Sequence, residues 1–408
     1  GSLYLNCIFR ASFDTGNTAD FKWGFLAACI GMIISVISFE LLKAKHLNGP
    51  EGNAVGTSVR ASDMKVLGLV LGATAITFFL MNFNSFFNTD FDLIFYLIVG
   101  AFLLSPMAIL SDKSITSVER DRIIVIFILA FFVIFFWSAF EQAGASLTLF
   151  AEDNVNRDVP FTINKYVIVA FLSVLSYFLM KFLEWFFQWK PNTHMIITVV
   201  LVLLYMALLF MGKIDNFSKD VIPASWFQSV NPFVIVVFAP IMSWLWTRMG
   251  SSQPSSPTKM AIGLLLVAVG YVVIAVGVKG VDASVRVSMM WLVSLYFIHT
   301  IGELCLSPIG LSMVSKLSPL RFSSLLMGTW FLANAFANKL AGTLSSLIPP
   351  GAGESAHSSG STEVKSLLGF QIVNLYDFFL VFIIMAGLAS LILFGLSKKL
   401  QKMMHGIH

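Results

Sequence analysis

Charge is scarce in this chain. Only 12% of its 408 residues are Asp, Glu, Lys or Arg, whereas 57% are hydrophobic. A soluble chain of this length needs far more charge to cover its surface. The composition therefore excludes a soluble globular protein and indicates one that crosses a membrane several times.

Patterns typical of metal sites and catalytic centres are also missing from the sequence. The three cysteines, Cys7, Cys29 and Cys305, do not have the spacing of metal ligands. There is no His-Glu-x-x-His motif, and no nucleophile and base can be paired from the sequence. These absences argue against an enzyme and predict a protein without a metal or another cofactor.

The apolar segments are continuous and lack the alternation of membrane β-strands, which have about 10 residues with a period of two. The predicted fold class is therefore an all-α polytopic membrane protein. Since a helix of about 20 apolar residues crosses a bilayer, the sequence predicts eleven spans. They are 22–43, 65–87, 91–110, 122–150, 164–188, 194–212, 226–247, 260–278, 288–314, 322–347 and 370–397.

The basic residues between the spans predict the orientation. If the spans alternate in direction, one side carries roughly twice as many Lys and Arg residues as the other, which marks the richer side as cytoplasmic. The carboxyl terminus, with Lys398, Lys399 and Lys402, is on that side.

Polar residues inside four spans recur at intervals of three or four, and such residues share one face of a helix. These faces are Trp137 and Glu141 in 122–150, Gln228 and Asn231 in 226–247, His299, Glu303 and Ser307 in 288–314, and Trp330, Asn334 and Asn338 in 322–347, followed by Lys339. Several helices that each contribute one polar face would form a central cavity for a polar, partly cationic solute.

A structural role is the alternative for each face. Polar side chains in membrane helices often hydrogen-bond to neighbouring helices, so the roles of Gln228, Asn334, Asn338 and Ser307 stay open at this point. The two tryptophans would serve equally well as core aromatics, and His299 fits a hydrogen bond to a neighbouring carbonyl.

The two carboxylates, Glu141 and Glu303, favour a functional reading, because an ionisable group at bilayer depth is costly. A structural carboxylate there would need a cation such as Lys339. Nearer the membrane surface, Lys181 and Glu184 are predicted to pair at i, i+3.

Four segments carry a resemblance to a known family. They are 136–142 (FWSAFEQ), 226–232 (WFQSVNP) together with 253–259 (QPSSPTK), 302–312 (GELCLSPIGLS) and 327–332 (MGTWFL). In this order they resemble the proton-dependent oligopeptide transporter (POT) family of the major facilitator fold. The resemblance runs from near Trp23 to the carboxyl end.

The resemblance implies a domain organisation. Residues 1–43 would be a remnant of the amino-terminal bundle, with a remnant of helix five and with helix six. Residues 44–64 would be a cytoplasmic linker and 65–121 an inserted helical hairpin. Residues 122–408 would form the carboxyl-terminal bundle, helices seven to twelve, with an extra hairpin at 164–212. On this expectation the carboxyl-terminal bundle is complete, and helices one to four are absent from this chain.

The resemblance also implies roles. Glu303 and Asn231 would hold the ammonium group of a peptide, with Trp137, Trp330, Gln228, Asn334 and Ser307 in the same binding site. Glu141 would belong to a proton-sensitive ion pair that controls gating, and Glu303 would share in proton coupling.

The implied function is symport of di- and tripeptides with protons across the bacterial inner membrane. The protein would be a monomer in the lipid bilayer, driven by the proton gradient, without a cofactor and without a nucleic-acid partner.

Two expected features have no counterpart in this chain: the Glu-x-x-Glu-Arg-Phe signature of helix one and the lysine of helix four that would pair with Glu141. Two alternatives therefore stay open. One is a folded but transport-inactive fragment, and the other is a family member that moves a non-peptide solute.

Overall fold

The computed structural model describes residues 92–282, 285–349 and 365–407, except 188, 189, 191 and 368, together with Phe83–Phe87 and isolated positions between 26 and 80. The predicted remnant at 1–43, the linker at 44–64 and the span at 65–87 lie largely outside the described residues.

Helices dominate the described residues, which confirms the all-α fold class. They are α1 (Phe83–Phe87), α2 (Leu93–Leu110), α3 (Ser117–Phe140), α4 (Ser146–Asp153), α5 (Lys165–Phe187), α6 (Thr193–Phe210), α7 (Val230–Met249), α8 (Ser256–Val278), α9 (Met289–Leu317), α10 (Ser323–Ser345) and α11 (Leu375–Met403).

Eight helical segments among the described residues are long and apolar enough to cross a membrane. They correspond to eight of the eleven predicted spans. Helix α10 matches the predicted span 322–347 in position, but it does not reach the same apolarity. Asn334, Asn338 and Lys339 lie in this helix and lower its hydropathy.

Short strands pair in the loops between helices. β1 (Val155–Asn156) pairs in parallel with β4 (Val287–Ser288). β2 (Asp158–Ile163) pairs antiparallel with β3 (Phe217–Val221), and β5 (Lys365–Leu367) pairs antiparallel with β6 (Phe370–Ile372). None exceeds six residues, so they organise connections between helices.

The chain divides into two compact units, 1–39 with 157–223, and 40–156 with 224–408. In the first, α5 and α6 form the predicted hairpin, which reverses at Asn192 with φ of 70°. Ser176 and Tyr205 share a hydrogen bond of 2.9 Å between the two helices. The ribbon of β2 and β3 belongs to the same unit.

The predicted pair of Lys181 and Glu184 is wrong for this hairpin. A carboxylate oxygen of Glu184 lies 2.8 Å from Nδ1 of His194 and accepts the His194 backbone N–H at 2.7 Å. Lys181 instead lies over the ring of Tyr177. The first residues of α6 have unpaired N–H groups that attract an anion, so Glu184 caps the next helix.

In the second unit α8 packs against α9 and α11, α3 packs against α10 and α11, and α7 packs on α9. Glycine at every seventh position of α8 allows the close contact between α8 and α9. A Cβ added to Gly263 would lie 2.8 Å from the carbonyl oxygen of Gly302, and one at Gly277 would lie 2.6 Å from the Trp291 ring. Gly270 likewise leaves room for His299. The backbones of α8 and α9 therefore approach closely, as small residues allow in membranes.

Helix α2 also belongs to this unit and docks on α10. Phe95 and Phe102 both contact the ring of Phe336. Asp92 caps α2 by accepting the Phe95 N–H at 3.1 Å, and Nζ of Lys339 lies 2.6 Å from its other carboxylate oxygen. Lys339 is thus paired with α2 and is not the partner of Glu141 or Glu303, contrary to the structural alternative considered for these two residues.

Candidate functional site

The predicted span 122–150 is not one continuous helix. Helix α3 ends at Phe140, residues Glu141–Gly144 form a 3₁₀ turn, and α4 resumes at Ser146. Ala145 between them has φ of −128° and ψ of −104°, outside the helical region. Glu141 therefore lies at the bend, where backbone groups lose their regular helical partners.

Hydroxyl groups satisfy the carbonyls at this bend. The phenol of Tyr271, on α8, donates to the Ala139 oxygen at 2.7 Å. The phenol of Tyr296, on α9, and the hydroxyl of Thr148, on α4, donate to the Ala143 oxygen at 3.3 and 2.8 Å. The break is thus held by three side chains from three helices.

Gln142, beside Glu141 in the turn, is completely buried. Its amide nitrogen donates to the carbonyl of Ser138 at 3.1 Å and to that of Ala341, on α10, at 3.0 Å, and its oxygen accepts from Ser146. Gln142 therefore ties the bend to α10. Its position next to Glu141 was the only signal in the sequence for this role.

The second carboxylate, Glu303, lies in the middle of α9 and is half-buried. Its Oε2 accepts a hydrogen bond of 2.8 Å from Nδ2 of Asn231, in the first turn of α7. The same nitrogen lies 3.1 Å from the hydroxyl oxygen of Thr300. The structure therefore brings Asn231 and Glu303 together, as the resemblance implied.

Glu141 lies at the bend that ends α3, and Glu303 lies on α9, which packs against α3. Basic side chains among the described residues contact other carboxylates, namely Asp92, Glu119, Asp121 and Glu184, in two cases through a histidine. Two carboxylates that share one region without a cation repel each other when both are ionised. A bound proton or a bound cation would relieve that repulsion.

The two predicted tryptophans have different surroundings. Trp137 is half-buried, and its ring meets those of Phe136 and Phe140 edge-on at 5.3 Å. Trp330 is 3% exposed, and its ring packs on the backbone of α9 at Gly310, where an added Cβ would lie 2.5 Å from it. Trp330 therefore fills the seam between α9 and α10.

The remaining predicted site residues are less closely associated with Glu303. Gln228 lies in a 3₁₀ turn before α7, and its amide donates to Thr148 at 2.9 Å, so it braces α4. Ser307 lies one turn beyond Glu303 on α9. Asn334, on α10, has a buried Oδ1 that finds no hydrogen-bond partner among the described residues.

His299 hydrogen-bonds to a carbonyl of a neighbouring helix, which is the structural role considered for it. Its ring is 2% exposed and shares a hydrogen bond of 3.1 Å with the carbonyl of Val267, on α8. Although His299 and Glu303 are four residues apart, they reach different neighbouring helices.

Comparison with known proteins settles the family. The sequence profile of the POT family matches residues 8–189 and 206–356 of this chain. The chain belongs to the POT family. It is 26% identical over 327 residues to the uncharacterized transporter YclF of Bacillus subtilis, which covers 80% of this chain and 54% of that protein. It is 32% identical over 256 residues to the peptide transporter YePEPT of Yersinia enterocolitica, which covers 62% of this chain and 39% of that one.

Solved POT structures share the fold. A peptide transporter POT in complex with sulfate superposes with a TM-score of 0.61 at 22% identity, over 98% of this chain and 65% of that one. A POT family transporter in complex with 5-aminolevulinic acid gives 0.60 at 24% identity, with coverage of 98% and 66%. The fold is thus that of the POT transporters. The chain spans about half the length of the curated relatives it matches.

Proposed function

We propose that the protein is a proton-coupled symporter of di- and tripeptides in the bacterial cytoplasmic membrane. The observation that carries this proposal is the contact between Asn231 and Glu303. It presents a carboxylate and an amide oxygen inside a membrane-spanning bundle, without a Lys or Arg among the described residues to neutralise the carboxylate. A peptide has an ammonium group at its amino terminus, and these two acceptors suit it.

Glu141 is the proposed proton-linked group. It lies at the break between α3 and α4, and α3 packs against α9, which carries Glu303. A proton on one carboxylate, or an ammonium group beside the other, relieves the same repulsion. Proton binding and substrate binding are therefore coupled through Glu141 and Glu303. Helices broken near the membrane midplane commonly carry such sites in transporters.

The relatives support the substrate class. Several are named di-/tripeptide transporters or permeases, in Lactococcus lactis and Salmonella typhimurium among others. A second candidate is a smaller amine with a carboxylate, because one related structure holds 5-aminolevulinic acid. The Glu303 site recognises the ammonium in both cases, so other residues would select between them.

The remaining parts of the proposal concern the setting. The protein would act as a monomer with its carboxyl terminus in the cytoplasm, on the side richer in Lys and Arg. The driving force would be the proton gradient, without a cofactor. Roles for Trp137, Trp330, Gln228, Asn334 and Ser307 in the same binding site stay part of this proposal.

Uptake of labelled dialanine into proteoliposomes that contain the full-length protein tests the proposal. An inward proton gradient is expected to drive accumulation, and collapse of the gradient to abolish it. Glu303→Gln should weaken binding about tenfold to a hundredfold, because a hydrogen bond to a charged group is lost. Glu303→Asp should weaken it less.

The exposed loop carboxylate Asp112 supplies a matched control, because Asp112→Asn removes one negative charge far along the chain from α9. Equal affinity of the Glu303→Gln and wild-type proteins would overturn the ammonium role. Uptake that is insensitive to the gradient would overturn proton coupling.

A further inference from the structure

Thr300 lies one turn before Glu303 on α9 and is completely buried. We propose that Thr300 is a positioning residue that fixes the amide of Asn231 with its oxygen toward the substrate amine. The role given to Thr300 rests on the proposed function of Glu303 and Asn231 as the amine site.

The hydroxyl of Thr300 has a single proton, and the neighbouring atoms determine the direction in which this proton points. Oγ1 lies 2.7 Å from the carbonyl oxygen of Tyr296. A carbonyl only accepts hydrogen bonds, so at this distance the proton must point at Tyr296. Toward every other neighbour, Thr300 is an acceptor.

Asn231 meets this acceptor directly. Its Nδ2 lies 3.1 Å from Thr300 Oγ1 and 2.8 Å from Glu303 Oε2. An amide NH₂ has two N–H groups, and both find an acceptor here. The reversed amide would place Oδ1 against the lone pairs of Thr300 and, when Glu303 is ionised, against those of the carboxylate as well. The orientation of Asn231 therefore follows from the chemistry of its neighbours.

Thr300 matters most when Glu303 carries a proton. A protonated Glu303 could donate to Oδ1 and would then favour the reversed amide. The Thr300 oxygen opposes this reversal in both protonation states, because its own proton is held by Tyr296. Asn231 therefore presents its oxygen to an ammonium whether or not Glu303 is protonated.

Substrate selection follows from this geometry. With Oδ1 facing the substrate, the site favours a terminal group that donates hydrogen bonds, such as an ammonium. Without Thr300 the amide could reverse and present N–H groups, which suit a terminal acceptor. A hydroxyl group both donates and accepts, so lactyl-alanine, with a hydroxyl in place of the amine of dialanine, probes the change.

The experiment compares Thr300→Val with Thr300→Ser. Valine matches the shape of threonine but has no acceptor, whereas serine keeps the hydroxyl. In full-length protein we expect Thr300→Val to reduce the preference for dialanine over lactyl-alanine by about tenfold and to make dialanine affinity more dependent on pH. Thr300→Ser should keep the substrate preference and the pH dependence of the wild type. Thr247→Val is the matched control, since Thr247 donates to the Ser243 carbonyl in the same way but is exposed on α7.

A second readout does not require transport. The side-chain NH₂ signals of Asn231, identified in ¹⁵N-asparagine-labelled protein by their loss in Asn231→Asp, should exchange with solvent slowly in wild type and in Thr300→Ser. They should exchange several-fold faster in Thr300→Val. Unchanged exchange and an unchanged substrate preference in Thr300→Val would overturn the role of Thr300. If wild type takes up no dialanine, the proposed function fails, while the exchange rates still decide the orientation of Asn231.

Discussion

The ammonium nitrogen of Lys339 lies 2.6 Å from Oδ2 of Asp92, so α10 is joined to the amino-terminal end of α2. Both side chains are about two-fifths exposed, at 40% and 42%. Such pairs usually contribute less than about 1 kcal/mol. The contact therefore orients α2 on α10 more than it stabilises the fold.

Asp92→Asn is expected to remove the ion pair while it keeps the helix cap, because asparagine also accepts from the Phe95 N–H. The hydrogen bond from Lys339 is the main cause that lowers the Asp92 pKa below 3.8. A lowered carboxyl pKa stabilises the folded state above the unfolded value, and the effect is lost as pH falls through the folded value. Thermal unfolding of Asp92→Asn, Lys339→Gln and the double variant should show coupling of up to about 1 kcal/mol at pH 7.

That coupling should disappear as the pH falls through the lowered pKa of Asp92, where the carboxylate of the folded protein becomes protonated. Asp92→Ala is the comparison, since it removes the cap as well and should be less stable than Asp92→Asn at both pH values. A coupling that persists in acid would show that the two residues interact through packing and not through charge.

Gly302→Ala tests whether the close approach of α8 and α9 positions Glu303. The new Cβ would lie 2.9 Å from the Gly263 carbonyl oxygen, so the helices must separate, at about 1–3 kcal/mol. We expect lower thermal stability together with weaker dialanine binding, because Glu303 is the next residue. Gly342→Ala, in α10, is the control, since its Cβ would meet nothing within 4 Å. Normal dialanine affinity in Gly302→Ala would contradict the positioning role of this contact.

Tyr271→Phe tests the support of the bend at Glu141. Loss of the 2.7 Å hydrogen bond to Ala139 should destabilise the protein by about 0.6 to 1.7 kcal/mol. Tyr296→Phe should cost less, because its bond is longer, at 3.3 Å. Tyr205→Phe removes a hydrogen bond within the α5–α6 hairpin. It should lower stability without any change in the pH dependence of uptake, whereas Tyr271→Phe should change both.

Much of the fold could be predicted because membrane helices leave a strong local signal. Long apolar runs identified α2, α5, α6 and α8 without any knowledge of their neighbours. The family segments likewise identified Asn231 and Glu303, which the structure brings within 2.8 Å.

What could not be predicted depends on contacts between distant parts of the chain. The bend at Glu141 lies in a continuous apolar run, and the hydroxyls of Tyr271 and Tyr296 that accommodate it come from other helices. The ion pair of Lys339 involves a residue more than two hundred positions away, so spacing gave no indication of it. Gln228 was placed on the same helical face as Asn231, whereas it lies in the preceding turn and binds Thr148.

The seven-residue spacing of Gly263, Gly270 and Gly277 limits how the length of α8 can change. Each added residue turns the following part of a helix by about 100°. One insertion between Gly263 and Gly270 would therefore rotate the two later glycines away from His299 and Trp291 and bring side chains against these rings. Seven added residues, close to two full turns, would restore the rotation but would move the later glycines about 10 Å along the helix axis. Neither change keeps these glycines opposite the two rings, so the spacing between Gly263 and Gly277 fixes the length of this part of α8.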